Sequence, residues 1–185
     1  MINEALALGR ENGQKLVPVF DLSGHGTAVA GVAAGTSMGV APKADLLVVR
    51  LGQPQAGSFP RTTQLMRGVN YAVNLGVSLN RPVAVNISFG NTYGDHQGNS
   101  LLERYIDNAS EVGRSVIVIG SGNEGTSRGH TAGIVQRESR MVELAVGDYE
   151  TGLSIQLWKF YQDVFELRLI SPGGEQTTLE LSRLR

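Results

Sequence analysis

Two short segments carry side chains able to do chemistry, each set among glycines that would let another chain come close. The first is Gly24-His25-Gly26-Thr27-Ala28-Val29-Ala30-Gly31, a histidine opening a run of small residues. A base that shuttles a proton must stand at a cleft, on a rigid element with a close-packed floor. Alone, a histidine at a helix start is more often a cap or a core residue. The second segment is Gly120-Ser121-Gly122-Asn123-Glu124-Gly125, just past an apolar, strand-like run. The carboxyl ends of parallel strands are where α/β sheets gather their sites. An asparagine there can aim its amide N–H at a developing oxyanion, while glycines leave room for a substrate backbone. Taken alone it reads better as a glycine-rich turn with the asparagine in a left-handed conformation.

Several elements must position these segments. Residues 3–14 read as one helix and 16–20 as a short extended run. The segment from Gly24 continues as a helix with Ala28, Val29, Val32 and Ala33 at helical spacing, predicted to be buried because it has no charged face. ADLLVVRLG (44–52) is a continuous apolar run of strand length, as expected for a parallel strand covered on both faces. Residues 62–76 place Leu65, Val69, Ala72 and Val73 on one stripe of an amphipathic helix. PVAVNISFG (82–90) is the next buried strand, and residues 100–112 put Leu101, Leu102, Tyr105, Ile106 and Ala109 on one helical face. SVIVIGSGNEG (115–125) is a third strand running into the asparagine loop. Strand and helix alternating in this way, with right-handed crossovers, predict an α/β fold with a parallel sheet and flanking helices.

The grammar then changes. Period-2 alternation appears at Val142, Leu144 and Val146, at Leu153, Ile155 and Leu157, and at Phe165, Leu167 and Leu169, with turn signals at 147–152 and 171–174. This predicts antiparallel strands, and a division into residues 1–134 and a second, all-β unit starting at 135 and running to 185.

Composition narrows the classes. Of 185 residues, 41% are hydrophobic and 18% charged, which is globular rather than disordered. The net charge of −1, without a basic block, gives nucleic-acid binding no electrostatic footprint. No cysteine is present, which removes disulfides and thiolate chemistry and leaves the compartment open. No apolar stretch approaches the roughly 20 residues of a membrane span. The first residues read as an exposed helix rather than a secretory signal.

Taken together and in order, GHGTAVAG (24–31), GVAPKADLLVVRLG (39–52), NISFG (86–90) and SGNEG (121–125) resemble the subtilisin-like serine proteases, or subtilases. Ala28 stands where many members have a second histidine. The resemblance implies peptide-bond hydrolysis by Ser-His-Asp acyl transfer, with His25 as general base and acid and Asn123 as the oxyanion donor. It implies that Ser88, Phe89 and Gly90 pair with substrate backbone, that Gly120, Ser121 and Gly122 line the primary specificity pocket, and that the partner is a peptide or protein substrate.

The departures matter as much. The family's aspartate follows a buried strand in an Asp-Thr/Ser-Gly context, and nothing before His25 has that pattern. Asp21 reads instead as a cleft-rim or capping carboxylate. The family's nucleophile lies far C-terminal, in a Gly-Thr-Ser-Met segment opening a long helix. Gly35-Thr36-Ser37-Met38 repeats those letters but lies at the far end of the histidine's own helix, roughly 16–18 Å from the imidazole by helix rise. Hydrogen-bond reach is about 3 Å.

A finer resemblance, carried by VRLGQPQAGSFPRTT, NISFGNTYGDHQGNSLLERYID and GNEGTSRGHTAG, is to the clostridial spore-germination (Csp-type) subtilases, which carry a jelly-roll β domain inserted between the asparagine and the serine. It implies that residues 1–134 are a partial catalytic domain and 135–185 the start of such an insert. The chain is then a fragment, inactive by itself and prone to self-association through exposed sheet edges. The alternative is a non-catalytic pseudoprotease that binds a peptide or protein partner. No cofactor is expected. His96 and His130 are loop residues without metal-ligand spacing, and Asn91-Thr92-Tyr93-Gly94-Asp95 is only a weak calcium candidate.

Overall fold

A computed structural model describes residues 2–51, 61–88 and 93–181. They form two compact units, Met1–Thr92 with Gly98–Arg128, and Tyr93–Gln97 with Gly129–Arg185.

The first unit is built around a helix pair on one face of a parallel two-stranded sheet. Helix α4 (Thr62–Ser78) buries Leu65, Val69, Ala72 and Val73, as the sequence stripe predicts. Strands β1 (Val83–Ile87) and β2 (Ser115–Ile119) pair in parallel, with Val85 opposite Ile117 and Ile87 opposite Ile119. Between them runs α5 (Leu101–Ser110), the crossover that a parallel pair requires. Its start is fixed by a capping box: the Ser100 hydroxyl accepts from the Glu103 amide, and the Glu103 carboxylate accepts from the Ser100 amide. Leu65, Val69, Val73, Ile87 and Ala109 form the core, with Leu51, Val85, Leu102, Tyr105 and Ile117 against it. The Tyr105 hydroxyl donates to the Met66 carbonyl at 3.1 Å and ties α5 to α4.

Several expectations need correction. Residues 3–14 are not one helix but two, α1 (Ile2–Ala7) and α2 (Gly9–Leu16). The break falls at Gly9, whose φ of 75° is left-handed and suits a residue without a side chain. The apolar run at 44–51 has no ladder, because a strand exists only with a hydrogen-bonded neighbour and none of the described residues pairs with it. Its Leu51 packs on the core instead. Strands β1 and β2 are covered on one face only: Ala84, Asn86, Val116 and Val118 point away from the helices and are exposed. Leu101 also lies outside the packed face of α5.

The helix α3 (His25–Ala34) forms where the spacing puts it, but of its residues only Ala34 is buried. Val32 is 69% exposed. The expectation of a buried helix fails because no described element covers its apolar side.

In the second unit, β3 (Phe165–Ile170) and β4 (Gln176–Leu181) pair antiparallel, with Leu167 opposite Leu179. The turn between them closes with Gly174 N–H donating to the Ser171 carbonyl at 2.9 Å. The alternating runs at 142–146 and 153–157 are irregular and exposed. Their pattern suits strands, yet no described segment supplies the neighbours that would make them so.

Candidate active site

The turn before α3 is organised by one carboxylate. Oδ2 of Asp21 accepts from the Thr27 amide and the Thr27 hydroxyl, both at 2.7 Å. Its Oδ1 accepts from the Gly24 amide at 3.0 Å and the Ser23 hydroxyl at 3.2 Å. Ser23 in turn accepts the His25 amide at 3.2 Å. The Gly24, His25 and Thr27 amides at the helix start are thus satisfied from upstream. Gly24 takes φ 75°, the left-handed turn that swings the chain into the helix. These donors, the Thr27 hydroxyl first and its amide second, hold the Asp21 carboxyl down at about 2 from its ordinary 3.8.

A carboxyl lowered in the fold contributes stability above its unfolded value and loses it as pH falls through its folded value. The cap is therefore expected to be fully present above about pH 4 and lost between about 4 and about 2. An Asp21→Asn variant should lower the melting temperature at pH 7 and abolish that segment of the pH dependence. Thermal melts followed by far-UV circular dichroism across pH 2–7 check it.

The imidazole itself reaches the sheet. Nε2 of His25 lies 3.0 Å from the Ser88 carbonyl oxygen, just past the end of β1. Ser88 is steadied by Asn86, whose amide donates to the Ser88 hydroxyl at 2.9 Å. One residue earlier, the Ile87 carbonyl accepts the Gly120 amide at 3.2 Å and carries the ladder past β2. Gly120, Ser121 and Gly122 then leave the strand, Gly122 at φ 91°, and bring the chain to Asn123. Asn123 is exposed, and its side chain has no hydrogen-bond partner among the described residues. His25 and Ser88 are therefore in contact, and the asparagine loop leaves the adjacent strand at the same carboxyl end of the sheet. Phe89 and Gly90 lie outside the described residues.

Ser37 sits in the turn beyond Ala34, at the opposite end of α3 from His25. Ten helical residues separate the two turns, about 15 Å of helix. Asp21 makes no hydrogen bond to the imidazole. Elsewhere, the His96 and His130 rings are 5.0 Å apart and tilted by 53°. Asp95 accepts the Gln97 amide at 3.1 Å, and Asn91 and Thr92 of the same loop lie outside the described residues. Among the described residues no group of three or more metal-ligating side chains gathers, and no helix is long and apolar enough to cross a membrane.

The sequence reading did not single out Ser23 or Asn86. An Asp-x-Ser-Gly stretch before a small-residue helix is a capping pattern that could have pointed to the first. Asn86 carries no such signal, since only the register of β1 reveals that its amide reaches Ser88.

Comparison with known proteins settles the family. The pattern of the subtilase family matches residues 11–180. The chain belongs to the subtilase family. It is 35% identical to alkaline protease 1 of Aspergillus flavus over 114 residues, 60% of this chain and 26% of that protein. It is 29% identical to the major intracellular serine protease of Bacillus subtilis over 170 residues, 88% of this chain and 49% of that protein. Among solved structures, that of the Clostridium perfringens CspB protease superposes with a TM-score of 0.77 at 36% identity, covering 98% of this chain and 40% of that one. This subtilase chain resembles the Csp type, and it spans between a quarter and a half of the length of these relatives.

Proposed function

We propose that this subtilase chain contributes the general base and the side-chain oxyanion donor of a serine endopeptidase, and that the nucleophile and its aspartate come from outside residues 1–185. In that reading His25 takes the proton of an attacking serine hydroxyl and returns it to the leaving amine. The Asn123 amide meets the negative oxygen of the tetrahedral intermediate. Ser88, Phe89 and Gly90 receive the substrate as an added strand, and Gly120, Ser121 and Gly122 line the pocket for its side chain. Residues 1–134 act as a partial catalytic domain and 135–185 as the start of an inserted β domain.

The observation that carries the reading is the contact of His25 with Ser88 at the carboxyl end of the sheet, beside the loop that holds Asn123. The exposed sheet face and the bare side of α3 support the fragment reading, and self-association through these surfaces belongs to the same proposal. The pseudoprotease alternative shares the peptide groove and differs only in lacking turnover when the remaining segments are supplied.

A fluorogenic peptide assay tests the proposal. The chain alone should hydrolyse the peptide no faster than buffer does. Addition of the aspartate-bearing and serine-bearing segments of a related subtilase should restore turnover. Turnover by the chain alone that disappears with His25→Ala and survives Ser37→Ala would overturn the assignment of the missing groups.

A further inference from the structure

Two of the three histidines of the chain lie outside the candidate active site, and the fold brings them together. His96 belongs to the loop between β1 and α5, and His130 follows the asparagine loop. Both fall in the second compact unit, with ring centres 5.0 Å apart. His96 takes φ 56°, a left-handed conformation uncommon for a residue with a side chain, between Gly94 at φ 121° and Gly98 at φ 76°. The Asp95 carboxylate accepts the Gln97 amide and fastens this turn. Both histidines are exposed, and neither ring hydrogen-bonds to a described residue.

Ring packing alone explains the pair poorly. Aromatic rings prefer an offset parallel stack or a perpendicular edge-to-face arrangement, and the 53° between these planes is neither. Two imidazoles on one metal ion meet a different requirement. With metal–nitrogen bonds of about 2.0–2.1 Å and each ring centre roughly 1 Å beyond its nitrogen, ligands at a tetrahedral angle place their centres about 5 Å apart. The observed separation matches. Each neutral imidazole offers one lone pair, so the pair supplies two donors and leaves the other positions to water. Imidazole nitrogen selects ions such as Zn²⁺, Ni²⁺ and Cu²⁺ over Ca²⁺ and Mg²⁺, which take oxygen.

We propose that His96 and His130 form a two-histidine site for a divalent transition-metal ion, with water completing the coordination. In chain order His96 follows Ser88 and His130 follows Asn123, so the ion clips together the continuations of the two segments that hold the candidate active site. Its role is to hold a loop, and no step of proton transfer passes through it. The ligands stand far apart in the chain, which is why no metal-ligand spacing announced them.

Isothermal titration of the full chain with Zn²⁺ at neutral pH tests the site, beside His130→Gln and His96→Asn, the latter because asparagine also tolerates the left-handed conformation. The second imidazole binds intramolecularly, so losing either should weaken Zn²⁺ binding by on the order of 10²-fold, while His25→Ala leaves it unchanged. Long-range 1H–15N spectra of the labelled chain should show the His96 and His130 rings shifting together up to one equivalent of Zn²⁺, and neither responding to Ca²⁺. A loss below about tenfold in either variant, or the absence of a Zn²⁺-induced shift of both rings, overturns the site and leaves a ring contact only. A response to Ca²⁺ equal to that to Zn²⁺ overturns the imidazole chemistry. Far-UV circular dichroism checks that the variants keep the fold, and the wild-type spectra decide the matter where one does not.

Discussion

In a chain completed with the aspartate and serine segments of a related subtilase, His25→Ala should lower kcat by on the order of 10⁶, the loss that follows removal of the base from such a triad. The effect is large because nucleophile and base act as one unit, and a serine hydroxyl without a proton acceptor is a poor nucleophile at neutral pH. Asn123→Ala in the same background should lower kcat by on the order of 10²–10³ and leave KM nearly unchanged. On the proposed reading its amide meets a charge that exists only in the transition state, and a side chain with no hydrogen-bond partner among the described residues is consistent with such a donor. Steady-state kinetics on a fluorogenic peptide separate the two parameters. A rise in KM at constant kcat for Asn123→Ala would mean that the asparagine holds the ground state instead.

The second large effect concerns the fold that carries the site. Val69 is 2% exposed at the centre of the core formed by α4 and the sheet. Val69→Asp places a carboxylate there with no cation among the described residues of that core to meet it, at a cost of at least about 3–5 kcal/mol. Domains of this size typically hold about 5–15 kcal/mol in total, so the variant should be largely unfolded at 37 °C. Val116 on the opposite face of the sheet is 60% exposed. Val116→Thr, which keeps the β-branched shape, should change stability by no more than about 0.5 kcal/mol. Urea denaturation followed by circular dichroism distinguishes the two. Equal destabilisation would mean that both faces of β1 and β2 are packed.

The contrast between these valines shows what could be read in the sequence and what could not. The stripe Leu65, Val69, Ala72 and Val73 specified α4 because a 3.6-residue period with one apolar side has one stable solution: to lie on something apolar. The strands at 83–87 and 115–119 and the crossover helix between them were legible for the same reason. The run at 44–51 and those at 142–146 and 153–157 were not, since strand pattern states a preference while a strand itself needs a partner. Val116 and Val118 are as apolar as Val85, yet burial depends on what lies opposite, and composition does not encode that.

The site divided along similar lines. His25, Ser88 and Asn123 stood out because glycines and strand ends surround them, and ordered motifs of that kind are specific. The contact between His25 and Ser88 joins residues far apart in the chain, and it could come only from geometry. Asp21 was legible as a capping carboxylate from its place before a helix. Its grip on Thr27 as well as Ser23 and Gly24 was visible only in the folded turn.

If His25 is a proteolytic base whose nucleophile lies outside residues 1–185, no serine of this chain is activated. Intact-mass analysis of the chain after exposure to a fluorophosphonate, which captures activated serines, tests it most directly. An unchanged mass is expected, with Ser37 as inert as any other surface hydroxyl. A single adduct mapped to Ser37 and lost in the His25→Ala variant would contradict it.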